Sequence, residues 1–428
     1  MESSNFKKIP LCFSHVNEDY LVVPKLKQFC NEKGIKKDDG LNLIEKYELI
    51  KSLEKYYNKD EKTKSEVAVF LDECLKEGIK RIIVGEIEGC RELKKVKNLD
   101  EFLIDSFSVY NKTNTNVILA HNDENINLCG FNFEKDKESN LKKIELKFTV
   151  LLREQKSRKS NFNTIIYPIF VTIDVENGYI IGRAKSKSGL YRKVFLGENE
   201  NYIDEFGNDL TVGKSTDCIK LVEETFNLIT SKINFIKILK GFDTVDNFKR
   251  RIHKLIDQCT KTPEEIEKKL ENEEKIINLF VKDFFSRHNI DFFENSNFEI
   301  ASDDIRIFME KYLSINEINK DIFTKDRYGY PIKIGATDSE LSSVEEVSSD
   351  ETPLQCTSIF FDNKKILNRE QRCDYVKFIF NRSKFKYFTN EKFIVNIEIK
   401  RGFLHLDFKQ YTLEEDIENV LSRIIRNN

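Results

Sequence analysis

The stretch Ile397-Glu398-Ile399-Lys400 sets a carboxylate and an ammonium two residues apart in an apolar run. On a strand, residues i and i+2 share a face, so Glu398 and Lys400 would project together. With a further carboxylate from Asp362 or Asp374, such a group could hold Mg²⁺ while the lysine orients an attacking water. The same residues have a plainer reading. Arg401-Gly402 suits a two-residue turn, so 393–400 and 403–408 would pair as a hairpin. Glu398 then faces His405 and Asn396 faces Asp407, with Val395, Ile397, Ile399, Leu404, Leu406 and Phe408 on the other side. That alternation belongs to a sheet with one wet face.

The triplet resembles the active-site strand of the PD-(D/E)xK metal-dependent nucleases, and that likeness would imply Mg²⁺ as cofactor. Glu-x-Lys triplets recur by chance in a chain that is 33% charged, and the hairpin explains this one. No catalytic residue is therefore assigned; Glu398, Lys400, Asp362 and Asp374 stand as candidates only. No P-loop, GxGxxG after a strand, GxSxG or HExxH occurs. The nine cysteines fall at 12, 30, 74, 90, 129, 218, 259, 356 and 373, none within a CxxC, and the five histidines are scattered, which disfavours zinc.

Basic residues suggest a partner more than a reaction. The patterns around LKQFCNEKGI and KYELIKSLEKYY, within residues 21–57, resemble the SAP motif, a helix–extended loop–helix unit of DNA-associated proteins. The likeness rests on Leu26, Gly34, Ile35, Gly40, Glu48, Leu49, Ile50 and Leu53, and the loop here is longer by Lys36–Asp39 and Leu41–Glu45. It implies that Lys46, Lys51 and Lys55 lie near a phosphate backbone, each adding a salt-dependent, sequence-independent contribution. A second cluster carries a net charge of +6 over residues 153–193, with Arg153, Lys156, Arg158, Lys159, Arg183, Lys185, Lys187, Arg192 and Lys193. Phe162, Tyr167 and Tyr191 are interleaved there and could stack on bases. A third run, Lys249–Lys254, reads as the solvated face of an amphipathic helix anchored by Phe248, Ile252 and Leu255.

The elements that must position these residues follow from periodicity. A chain of 428 residues with 39% hydrophobic content supports several cores, and its net charge of −3 gives no global attraction to nucleic acid or membrane. Phe, Ile, Asn, Lys and Glu abound and Trp is absent, as in low-GC bacterial genomes. Residues 1–20 read as a polar lead-in without a signal-peptide core, so a reducing cytoplasm is expected. Helical spacing over 24–33, 42–57 and 63–77 precedes a strand at 79–87. The period then falls to 2 over 126–133, 144–152, 165–173 and 179–184, with Glu176-Asn177-Gly178 as a tight turn. Helices are expected over 216–239, 246–259, 262–288 (capped by Thr262 with Glu265 in a capping box) and 302–313. Residues 338–351 hold six acidic residues and five serines without a base, and read as a linker. Beyond it come a strand at 357–361, a helix at 369–381, the hairpin, and a terminal helix capped by Thr412.

The expected fold is α+β: a helical N-terminal module (1–112), a central antiparallel sheet with a helical arm (113–337), an acidic linker (338–353) and a small α+β unit (354–428). The expected function is non-enzymatic nucleic-acid binding, DNA before RNA, in a bacterial cytoplasm, in the setting of a mobile element or anti-phage defence. Alternatives are the Mg²⁺-dependent nuclease, and a scaffold that binds a protein partner on the long helix from Thr262 to His288. No membrane partner is expected.

Overall fold

The computed structural model describes residues 9, 13, 20–35, 45–108, 125–155, 163–193, 201–203, 209–292, 296–337, 343–347, 351–382 and 389–426. The class is α+β. The chain divides into two compact units, one formed by residues 1–240 and 407–418, the other by 241–406 and 419–428. These divisions replace the expected ones, and the expected linker contributes a strand instead of a boundary.

In the first unit, α1 (Val23–Glu32), α2 (Glu45–Tyr57) and α3 (Glu61–Lys76) bury Leu26, Phe29, Leu49, Leu53, Tyr57, Phe70 and Leu71 in one core. Phe29 and Phe70 stack with centroids 4.0 Å apart. Asp60 caps α3 by accepting from the Thr63 amide at 2.8 Å, while Thr63 returns the bond. Two short helices follow, α4 (Cys90–Lys95) and α5 (Leu99–Phe107).

The sheet of this unit uses β1 (Lys80–Glu88), β2 (Asn127–Lys135), β3 (Leu141–Glu154), β4 (Asn163–Asp174), β5 (Tyr179–Lys185), β6 (Leu190–Lys193), β7 (Asn201–Ile203) and β8 (Asp209–Thr216). Its antiparallel order is β1-β5-β4-β3-β6-β8-β7, with β2 also on β3. The fourteen-residue β3 pairs with β4 along its length and divides its other edge between β2 and β6. The turn at 176–178 forms as expected: Gly178 adopts φ +75°, and Asp174 accepts from the Asn177 and Gly178 amides. The helix α6 (Cys218–Lys232) lies so close to β5 that a Cβ at Gly182 would stand 2.2 Å from Val222. The predicted helix stops there, because Lys237–Leu239 (β9) joins the edge of β1.

A buried polar seam closes this unit. Lys80 and Lys185 are cross-strand neighbours whose ammonium groups lie 5.0 and 4.1 Å from the Tyr20 ring centroid. Residues 407–418 return here. Thr412 pairs with Gly78, Tyr411 donates to Glu77 at 2.9 Å, and Arg183 binds both Glu414 (2.6 Å) and Glu418. Thr412 therefore does not cap the terminal helix α11 (Glu414–Leu421), since its hydroxyl donates to the Gly78 carbonyl; Asp416 serves instead by accepting from the Leu413 amide.

In the second unit, β10 (Gly329–Thr337), β11 (Ser343–Val347), β12 (Tyr375–Asn381), β13 (Lys392–Lys400) and β14 (Phe403–Phe408, its last two residues counting with the first unit) run in the order β11-β10-β12-β13-β14. The hairpin at 401–402 forms, with both turn residues at positive φ. Helices α7 (Phe242–Cys259), α8 (Glu264–His288), α9 (Asn297–Asn316) and α10 (Ser358–Glu370) complete the unit.

Several expectations change here. Residues 357–361 begin α10, because Phe360, Phe361 and Leu367 fall on one helical face and are buried. The predicted helix over 369–381 is β12, where Val376, Phe378 and Phe380 face one core while Ile379 packs with Tyr330, Ile332 and Ile394. With both faces covered, the period of 2 does not show as apolar–polar alternation. Thr262 does not cap α8; its hydroxyl donates to Glu310 at 2.8 Å, and Pro263 precedes the first turn without a side-chain cap. Helix α9 starts at Asn297, ahead of Ser302.

Burial pushes Lys80 down to about 7 from its ordinary 10.5. Between those values the unfolded chain holds a proton that the folded chain lacks, so stability should rise with pH by up to about 1.4 kcal/mol per unit. Thermal melts should show Lys80→Met more stable than wild type at pH 7, with the difference shrinking towards pH 9. A pH-independent difference would show that Lys80 is not the titrating group.

Candidate functional site

Asp374 lies beside the Glu-x-Lys strand, its carbonyl accepting from the Ile399 amide at 3.2 Å, while Asp362 is on a helix. Glu398 on β13 stands opposite Tyr375 of β12 and accepts from Lys400 at 2.6 Å. Asp374, just before β12, pairs with Lys249 at 2.6 Å. Asp362 sits on α10, where Lys311 holds it at 2.5 Å. Each carboxylate thus has a cation of its own, and among the described residues no group of three His, Cys, Asp or Glu is placed to hold a metal. His405, the expected cross-strand neighbour of Glu398, is buried, and desolvation lowers its pKa although the nearby Glu398 charge opposes that.

The basic candidates are also largely engaged. Lys46 is 3% exposed inside the helical core and cannot meet a phosphate; Lys51 and Lys55 are exposed on α2. Lys185 is buried over Tyr20. Lys187 pairs with Glu154 at 3.0 Å with both side chains 9% exposed, Arg192 pairs with Glu224, and Arg183 is spent on Glu414 and Glu418. Burial works against the Arg183 charge, but those two carboxylates raise its pKa above the ordinary value. Arg153 remains half-buried on β3. Lys156, Arg158, Lys159 and Phe162 lie outside the described residues, and of Lys193 only the backbone is described, in β6. Part of the local excess of +6 is thus met by Glu224, Glu414 and Glu418 from other parts of the chain.

The third basic run behaves partly as expected. Phe248, Ile252 and Leu255 are buried, while Arg250 and Lys254 are exposed. His253, however, is half-buried and lines a cavity of about 340 Å³ with Asp257, Thr262, Glu267, Lys364 and Asn368. Desolvation lowers the His253 pKa, with Asp257 one turn on opposing it. The loop at its edge is fixed by Arg327, which donates to the Lys261 carbonyl and to Gln355, as Gln355 donates to the Thr260 carbonyl. An i, i+4 His–Asp pair was the available signal, and it was hidden by its basic neighbours.

The most distinctive surface is on α8. One stripe, Ile266, Leu270, Ile277, Val281 and Phe285, is buried. A second stripe is exposed: Ile276 (60%), Phe280 (59%) and Phe284 (45%), with Leu279 (67%) beside it. The spacing of four places these side chains one above another, and the Phe280 and Phe284 rings stack at 6.4 Å. On α9, Ile300, Phe308 and Tyr312 are exposed as well. The amphipathic spacing of α8 was legible in the sequence, but which apolar residues the fold would leave uncovered was not.

No family model, curated protein or solved structure matches this chain. No helix among the described residues is long and apolar enough to cross a membrane.

The engaged lysines make a stability prediction. Lys187→Ala should cost about 3 kcal/mol, since it leaves Glu154 buried without its cation. Lys51→Ala should change stability by less than about 0.5 kcal/mol. Chemical denaturation of the two variants checks this; equal, small effects would return Lys187 to the solvated class.

Proposed function

We propose that this chain is a non-enzymatic interaction protein that docks another polypeptide on the exposed stripe of α8. The observation that carries this reading is the run Ile276, Phe280 and Phe284, with Leu279, left uncovered on a helix whose other stripe is already buried. Single exposed apolar residues are ordinary, but a contiguous helical stripe is the usual mark of a recognition surface. Docking an apolar helix face against a partner supplies the affinity, with i and i+4 side chains as anchors. Capture on tagged full-length chain should retain a stoichiometric partner that the Phe280→Glu, Phe284→Glu double variant fails to retain. Equal retention by wild type and variant would remove α8 as the docking surface.

A second reading keeps nucleic acid as partner, through the SAP-like module. Supporting it are Lys51 and Lys55, exposed one turn apart on α2. Their contribution would be electrostatic and blind to sequence, so affinity for labelled duplex should fall with salt. The Lys51→Glu, Lys55→Glu variant should weaken anisotropy-detected binding at least about tenfold across all duplexes tested. Unchanged affinity, or no binding by wild type at low salt, would remove the module from the reading.

A further inference from the structure

The α8 surface is self-complementary. Its outer stripe reads half-buried Glu273 and exposed Ile276, Phe280, Phe284 and Arg287, with spacings of 3, 4, 4 and 3 residues. At 3.6 residues per turn these five positions fall within one narrow sector of the helix. The pattern is the same length in both directions from Phe280, with an acid at one end and a base at the other.

We propose that the occupant of this stripe is a second copy of the same chain, with two α8 helices packed antiparallel about a two-fold axis at Phe280; this rests on the reading of α8 as a docking surface. An isologous contact requires a patch that complements itself when rotated by half a turn. Here the rotation sets Phe280 on Phe280, Ile276 on Phe284 of the second copy, and Glu273 beside Arg287 of the second copy. Both ion pairs form at once, one at each end of the apolar centre. A parallel arrangement would instead oppose like charges at both ends.

Charge strengthens the direction. The N-terminal half of α8 carries six Glu (264, 265, 267, 271, 273 and 274) against Lys268, Lys269 and Lys275, and its C-terminal half Lys282 and Arg287 against Asp283, so the two halves keep opposite net signs. Arg287 holds Asp283 within its own helix and is exposed, so it can also meet an incoming carboxylate. The helix dipoles of an antiparallel pair add favourably to this arrangement. Four apolar side chains per copy form a small contact by the standard of about 800 Å² per partner in stable complexes, so association should be concentration-dependent, in the micromolar range.

Sedimentation equilibrium on the purified full-length chain, from low micromolar to hundreds of micromolar, tests this. Wild type should move from monomer to dimer, and Phe280→Glu, at an exposed site, should stay monomeric with an unchanged melting temperature. Arg287→Glu should weaken the dimer at least about tenfold, and adding Glu273→Arg should restore it, because both end pairs re-form with their signs exchanged. A wild type that remains monomeric throughout, or a charge swap that fails to rescue, overturns the self-association. If the chain is monomeric yet still captures a different protein through Phe280, the docking surface stands and only the identity of its occupant changes; loss of both removes the surface itself.

Discussion

The grip of Arg183 on Glu414 and Glu418 is the constraint on which the first unit rests. Its guanidinium is buried in the middle of β5, where an unpaired cation would be prohibitive, so two carboxylates from more than two hundred residues away must be delivered to it. The chain leaves this unit at residue 240 and returns at 407. The pairing of Gly78 with Thr412 and the bond from Tyr411 to Glu77 hold the returning segment in register beside that cation.

That constraint also explains why charge counting along the chain misleads. A net +6 over forty residues suggests a surface field, yet Arg183, Lys187 and Arg192 each meet a carboxylate carried by another element, and Lys185 is covered. The candidate carboxylates of the second unit are paired as well. Glu398 pairs with Lys400 of its own strand, Asp374 with Lys249 and Asp362 with Lys311.

The α8 face shows the opposite imbalance. Its charged residues pair with neighbours on α9 and within the helix, as Arg306 does with Glu267 and Lys269 with Glu317, while Ile276, Leu279, Phe280 and Phe284 of its second apolar stripe stay exposed. A helix of 25 residues with two apolar stripes has more hydrophobic surface than one neighbouring face can cover. The excess is where a partner gains most from excluding water.

What the sequence determined by itself was local. Alternation fixed β3, β4 and β5, Asn177-Gly178 fixed the hairpin between the last two, and Arg401-Gly402 fixed the hairpin β13–β14, because turn chemistry and period act over a few residues. The same locality made 357–381 illegible, since a short apolar run covered on both sides carries no period, and it lent Thr262 a capping role that Glu310 takes from it. Tertiary structure alone decided which lysines are buried or paired across the fold, which carboxylates are matched, and which stripe of α8 is left to water. Those outcomes depend on side chains that are dozens to hundreds of residues apart in sequence, and only the folded chain brings them within hydrogen-bonding distance.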